Sequence, residues 1–328
     1  MPMLKPEISL ILPVYQNETT LRRALDSVFS QKTAIPYELV AAIDPCKDKS
    51  LDILKEYQAK HPENFVILAP ETRLGNAKCR QLAVEKARGE YVAFLDADDK
   101  LHPDFFENMY AAITKNKADL VSCAFYVVKG QKKERHFVYP FRRSAVLNRK
   151  GGLNAYFSDA ALRGFMWAKL YRRSLFFETP TIALPRLSDM FEDQSLNTAL
   201  LAHCHKVVLL RNPLTYYYKN IPTSLSSVKR QDRAMCHLRV FALQRYYFEQ
   251  TQDQEGLKAW KKHISRADES FRYDCHVDKR NGASKVSLKE VKALWHVITD
   301  LKKPLPAEGA LADWLKAAYV TDASRDRD

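Results

Sequence analysis

Tyr91-Val92-Ala93-Phe94-Leu95-Asp96-Ala97-Asp98-Asp99 joins an unbroken apolar run to three carboxylates. The run has the length and β-forming content of a strand buried on both faces, as in a parallel sheet. A strand ending in Asp-x-Asp-Asp delivers acid to the carboxyl edge of the sheet, where open α/β folds bind ligands. Clustered carboxylates are costly unless neutralised, and a hard divalent cation holding phosphates neutralises them. The alternative is a solvated acidic loop that also caps the next helix.

Working outward, strand and helix alternate over the first 125 residues. Strands are expected at Ile8–Val14, Tyr37–Ile43, Phe65–Leu68 and Leu120–Val128. Asn17 is expected to cap a helix running to Ser30, with Leu21, Ala24, Leu25, Val28 and Phe29 as its apolar face. Further helices are expected at Ser50–Ala59, at Leu82–Ala87 up to Gly89, and after Pro103. Repeated βαβ crossovers predict a mostly parallel, Rossmann-like α/β sheet with flanking helices. Beyond residue 129 the pattern breaks into short mixed segments. From Asp232 it reads as helices: Ala234–Gln250, Leu257–Arg272, Val286–Thr299 and a short one near Leu311–Ala318. The expected division is a catalytic-type domain over 1–227, with halves of about 1–128 and 129–227, and a helical C-terminal subdomain over 228–328.

Composition bounds the function. The chain has 328 residues, 46% apolar and 28% charged, the profile of a soluble globular protein with a real core. No apolar run reaches membrane-span length and Ile8–Val14 is too short for a signal-peptide core, so a cytoplasmic location is expected. Six scattered cysteines without CxxC spacing fit free thiols rather than zinc or a disulfide framework. The net charge of +13 is uneven. Residues 1–114 carry −3, residues 115–173 carry +11 and residues 229–303 carry +7. Such patches attract anionic partners, and without a nucleic-acid module the expected ones are an anionic membrane surface or a phosphate-bearing substrate.

Three N-terminal pieces share one resemblance. Ile8–Asn17 resembles the opening strand and P-x-Y/F-N turn of family 2 glycosyltransferases, which have the GT-A fold. Ile43-Asp44-Pro45-Cys46-Lys47-Asp48-Lys49-Ser50 resembles their DDGSTDGS loop, and Gly75–Asp99 resembles their segment ending in F-L-D-x-D-D. Downstream, Trp167-Ala168-Lys169-Leu170-Tyr171-Arg172 is similar to the W-x-K-L-Y-R of envelope-polysaccharide members. Glu192-Asp193 resembles their ED pair, and Tyr216–Ser224 their tyrosine run. The likeness reaches to about Ser227.

The resemblance implies an inverting, metal-dependent transferase moving a sugar from a nucleotide-diphosphate sugar, a UDP-sugar first, to a hydroxyl of a cell-envelope glycan or lipid-linked glycan. Mn²⁺ or Mg²⁺ is expected on Asp98 with Asp96. Pro13, Tyr15, Asp44, Arg80, Asp96, Ala97 and Asp98 are implied for the nucleotide-sugar, Asp44 at the base and Arg80 at phosphate. Asp193 is implied as general base, with Glu192 and Trp167 orienting it or meeting acceptor. For Arg80 an exposed helix arginine, for Asp193 a helix-capping carboxylate, and for Trp167 core packing are the alternatives. His203 and His205 read as structural. Ile43, Pro45-Cys46-Lys47 and Gln81 depart from the family pattern near the base and ribose. A nucleotidyltransferase or a dinucleotide oxidoreductase is disfavoured because no glycine-rich loop follows the first strand. A catalytically inactive GT-A scaffold is the non-enzymatic alternative.

Overall fold

The computed structural model describes residues 5–130, 132–136, 143–158, 162, 164–178, 192–219, 233–280, 288–300, 302–309 and 312–313. Its first half runs β1 (Ile8–Val14), α1 (Leu21–Phe29), β2 (Tyr37–Ile43), α2 (Ser50–Lys60), β3 (Phe65–Leu68), α3 (Asn76–Lys86) and β4 (Tyr91–Phe94). Then come β5 (Lys100–Leu101), α4 (Phe105–Asn116), β6 (Leu120–Lys129), β7 (Lys132–His136), β8 (Ala145–Asn148) and α5 (Arg149–Phe157). The second half adds β9 (Lys169–Arg172), α6 (Leu175–Glu178), α7 (Glu192–His203) and β10 (Lys206–Tyr218). Four helices follow: α8 (Arg233–Gln250), α9 (Gln254–Lys262), α10 (Ile264–Arg280) and α11 (Leu288–Thr299).

The sheet order is β3-β2-β1-β4-β9-β6-β10-β5, with β7 on β6 and β8 on β10. β1 pairs in parallel with both β2 and β4, and β2 in parallel with β3, as the crossovers require. Beyond β4 the sheet is mixed. β9 enters between β4 and β6 and runs antiparallel to both, while β6 and β10 are parallel. Parallel pairing thus holds for β1 to β4 and for the β6–β10 pair, while β9 is antiparallel to both of its neighbours. Leu10, Ile11, Val92, Ala93 and Phe94 are fully buried, so the centre is covered on both faces. Pro213, which cannot donate to the ladder, sits at a register shift in β10.

Several boundaries differ from the sequence expectation. α1 begins at Leu21 because Asn17 makes a turn instead of a cap: its carbonyl accepts from the N–H of Thr20 and Leu21, and its side chain accepts from Tyr15 N–H. α3 starts six residues before Leu82. The helix expected at Leu257–Arg272 is two helices, α9 and α10, meeting at His263. Leu311–Ala318 lies almost wholly outside the described residues.

At the amino edge, Gly89 donates to Ser9 Oγ at 2.9 Å, and a Cβ there would stand 2.7 Å from Ser9 N. Only glycine lets this turn approach β1 so closely. The helical region packs onto the sheet domain through α5 and α7. Gln244 donates to Thr198 Oγ1 at 3.1 Å, and Arg149 pairs with Glu255 at 2.6 Å and with Asp253. Within it, Asp278 of α10 accepts from the N–H groups of Arg233 and Ala234, satisfying two orphan donors at the start of α8. Arg245 donates to the carbonyl of Ile298 in the last turn of α11 and to that of Lys303 just past it. The expected domain boundary at 227/228 falls among residues outside the described part.

Candidate active site

The carboxyl ends of β1, β2 and β4 open onto a cavity of about 350 Å³. Pro13, Tyr15, Asp44, Asp96, Ala97 and Asp98, six of the residues expected at the nucleotide-sugar, line it together. They converge because β1 and β2 are in register, placing Pro13 beside Ala42 and Val14 beside Ile43, and Leu95 N–H extends the β4 pairing to Ile11 O at 3.0 Å.

Asp44 is 2% exposed, and its carboxylate is engaged with the chain itself. It accepts from the N–H groups of Leu74 and Gly75 at 2.8 and 2.9 Å and from Cys79 Sγ at 3.3 Å. Burial and the Asp44 charge push the Cys79 thiol up to about 12. Asp44 therefore fixes the β3–α3 loop and the start of α3, which bring in lining residues the sequence reading missed: Arg73 from the loop, and Asn76 and Cys79 from α3. The Arg73 guanidinium lies 4.1 Å from the centre of the Tyr15 ring, a cation–π stack on the pocket wall. No local sequence signal marks Arg73, since its loop is placed by contacts 30 residues away.

The acidic turn is tethered from two sides. Arg23 of α1 donates to Asp98 O and lies 3.7 Å from the centre of the Tyr218 ring. Asp99, 1% exposed, accepts from Tyr218 N–H at 2.9 Å. Burial drives its carboxyl well above the usual range, and the charges of Asp98 and Asp96 add to the rise. Its Oδ2 has no hydrogen-bond partner among the described residues. This surplus of negative charge is one that a cation would relieve. Among the described residues no group of three or more His, Cys, Asp or Glu could hold a metal by itself. Two hard oxygen donors, Asp96 and Asp98, instead fit a divalent ion that completes its shell with substrate phosphates and water.

Arg80 is 3% exposed and outside the cavity lining, so it is neither the exposed helix arginine nor a wall of the pocket. Its guanidinium spans two carboxylates, pairing with Asp96 at 2.8 Å and with Asp193, 113 residues away, at 2.5 Å. Asp193 lies in the first turn of α7, where the N-terminal dipole favours negative charge. Its Oδ2 also accepts from Met166 N–H at 3.4 Å. Burial raises the Asp193 carboxyl above its ordinary range, the Arg80 charge opposes that rise and Asp96 adds to it. Glu192 opens α7, but its side chain lies outside the described part. Trp167 is 6% exposed and stacked between Phe165, with centroids 3.7 Å apart, and Tyr217, at 5.1 Å. It is a packing residue beside the Asp193 turn, not a wall of the cavity. His203 bonds Tyr247 OH at 3.0 Å, the structural role expected of it.

A family model described as glycosyl transferase family 2 matches residues 9–178. EpsH of Bacillus subtilis, which carries a glycosyltransferase name, is 30% identical over 66% of this chain and 61% of its own length. The minor teichoic acid biosynthesis protein GgaB of the same organism is 30% identical over 43% of this chain and 16% of its own. The chain thus spans less than two thirds of the length of these relatives. Among solved structures, Staphylococcus aureus TarS 1–349 in complex with UDP-GlcNAc superposes with a TM-score of 0.60 at 19% identity, covering 84% of this chain and 89% of that one. The mannosyltransferase PcManGT from Pyrobaculum calidifontis, in complex with GDP-Man and Mn²⁺, gives 0.54 at 17% identity over 96% of this chain and 86% of its own. The likeness shows the fold: a GT-A sheet followed by helices. No described helix is long and apolar enough to cross a membrane.

Proposed function

The chain belongs to glycosyl transferase family 2, and on that premise we propose that it transfers a sugar, with inversion, from a nucleotide-diphosphate sugar to a hydroxyl of an envelope glycan. The observation that carries this reading is the Arg80 bridge, which sets a candidate base, Asp193, directly beside the acidic turn at the donor cavity.

Each side chain then has one task. Tyr15 and Arg73 offer a stacked pair to the nucleotide, and Arg73 supplies N–H donors to base, ribose or phosphate oxygens. Asp96 and Asp98 would hold the divalent cation, which when bound supplies Lewis-acid stabilisation of the leaving diphosphate. Asp193 takes the proton from the acceptor hydroxyl as that oxygen attacks the anomeric carbon from the face opposite the diphosphate. A base must be ionised beforehand, and Arg80 holds Asp193 in that state against the burial that raises its pKa. Once the proton has arrived, the guanidinium keeps Asp96 as partner, so no cation is stranded.

UDP-sugars are the first donors to test, since TarS was solved with UDP and with UDP-GlcNAc. Release of UDP or GDP from UDP- and GDP-sugars, and of CMP from CMP-sugars, is measured with Mn²⁺ and with EDTA. Metal-dependent release from one donor is expected, with Asp98→Ala lowering metal-dependent donor affinity at least ~10-fold, about 1.4 kcal/mol. Absence of turnover together with absence of metal-dependent binding of any sugar nucleotide would identify a binding subunit instead.

The acceptor is proposed to sit at an anionic membrane surface. The lysines of β6 and β7, Lys129, Lys132 and Lys133, are exposed in the segment of highest positive charge. Flotation with phosphatidylglycerol vesicles is expected to show binding that falls as salt rises from about 0.05 to 0.5 M. Binding that is absent, or unchanged by salt, removes the membrane from the proposal.

A further inference from the structure

Lys169 opens β9 and is fully buried, yet no step above uses it. Enclosing an ammonium costs several kcal/mol unless its surroundings repay it. Here the ammonium donates to the carbonyl of Phe165 and lies 4.4 Å from the centre of the Phe165 ring. That contact closes the turn Phe165–Ala168. Ala168 sits in the left-handed region at φ +57°, where a residue with a Cβ needs outside support.

The turn is clasped from two sides. Ala168 O accepts from Cys123 N–H of β6 at 3.0 Å. The buried Asn197 of α7 donates to Gly164 O at 2.6 Å and to Asp193 O at 2.9 Å, and its own oxygen accepts from Tyr171 OH at 2.8 Å. Between the clasps lies Met166, whose N–H points to Asp193 Oδ2. We infer that Lys169 is a positioning residue for Asp193: it locks the turn that carries the Met166 N–H, and it places a cation behind the carboxylate. This rests on the reading of Asp193 as base.

The charged and titratable surroundings define the consequence. Asp193 of α7 and the Cys123 thiol of β6 face Lys169; Arg80 of α3, Asp96 of the acidic turn and Lys169 act on Asp193. Burial pushes the Lys169 ammonium down to about 7, with the Asp193 charge opposing the fall. Its positive charge is therefore present below about pH 7 and lost above it. While present, it favours ionised Asp193.

The test reads Asp193 directly. In protein labelled with ¹³C at aspartate carboxyls, the Asp193 signal is the one lost in Asp193→Asn. Its titration midpoint is expected to rise by roughly one pH unit in Lys169→Met. Lys169→Gln, which can still donate to Phe165 O but carries no charge, is expected to show the same rise if Lys169→Met does not fold. In the turnover assay kcat is expected to fall most, up to ~10-fold, at pH below the Asp193 midpoint and little well above it, with donor affinity unchanged, since Lys169 does not line the cavity. An unmoved midpoint in a folded variant overturns the inference, even if kcat falls equally at every pH. Should Asp193→Asn retain full activity, the catalytic reading fails, while the midpoint still decides the role of Lys169.

Discussion

Asp193→Asn is expected to lower kcat by ~10²–10⁴-fold, the range over which a positioned general base contributes. Asparagine keeps the shape of the side chain and one oxygen for the Arg80 N–H, with its NH2 in place of the oxygen that faces the Met166 N–H, but it cannot take the acceptor proton. Donor affinity should stay within about threefold, because Asp193 does not line the cavity that holds the nucleotide. The split between kcat and donor affinity is what separates a base from a structural carboxylate. Nucleoside diphosphate release at saturating donor, together with calorimetric titration of the same donor, measures both. A variant with wild-type kcat would remove Asp193 from the chemistry and leave it as a helix-terminus carboxylate.

The second large effect is on stability. Arg80→Met takes away the cation enclosed between two carboxylates, and stranded buried charge typically costs about 3–5 kcal/mol. Asp96 and Asp193 are 28% and 20% exposed, so solvent screens part of that cost and about 3 kcal/mol is expected. The pH dependence has a defined sign. The folded-state pKa of Asp193 is raised, so its ionised form costs stability above that pKa, and the cost disappears as pH falls and the group is protonated. Without Arg80 the pKa rises further. The deficit of Arg80→Met in urea unfolding should therefore be largest near neutral pH and shrink toward about pH 4. A deficit independent of pH would mean that the arginine acts by packing its stem rather than by its charge.

Much of the sheet was legible in the residues. β1, β2 and β3 lie where the apolar runs Ile8–Val14, Tyr37–Ile43 and Phe65–Leu68 place them, because strands covered on both faces read as unbroken apolar stretches. The same applies to β4 and to the acidic turn after it. β9 escaped notice: Lys169-Leu170-Tyr171-Arg172 carries charge at both ends, yet its first lysine is fully buried. The two-residue β5 is too short to have a periodic signature, and it exists because β10 pairs with it.

For the site, the residues alone pointed to the acidic turn, since local chain geometry delivers a strand end to the sheet edge, and the family resemblance named Asp44, Arg80 and Asp193. Which of them touch is another matter. Arg80 and Asp193 meet across 113 residues of sequence only because α7 docks against α3 and the turn before β9. Arg73 enters the cavity because Asp44 holds its loop, and Lys169 lies behind Asp193 because β9 inserts between β4 and β6. Residue order dictated the strands, the helices and the acid at the sheet edge, each a consequence of short-range sterics and apolar periodicity. Strand direction beyond β4, the Arg80 bridge and the buried lysine were settled by tertiary packing, because a long-range pairing and a desolvated charge exist only once distant segments enclose them.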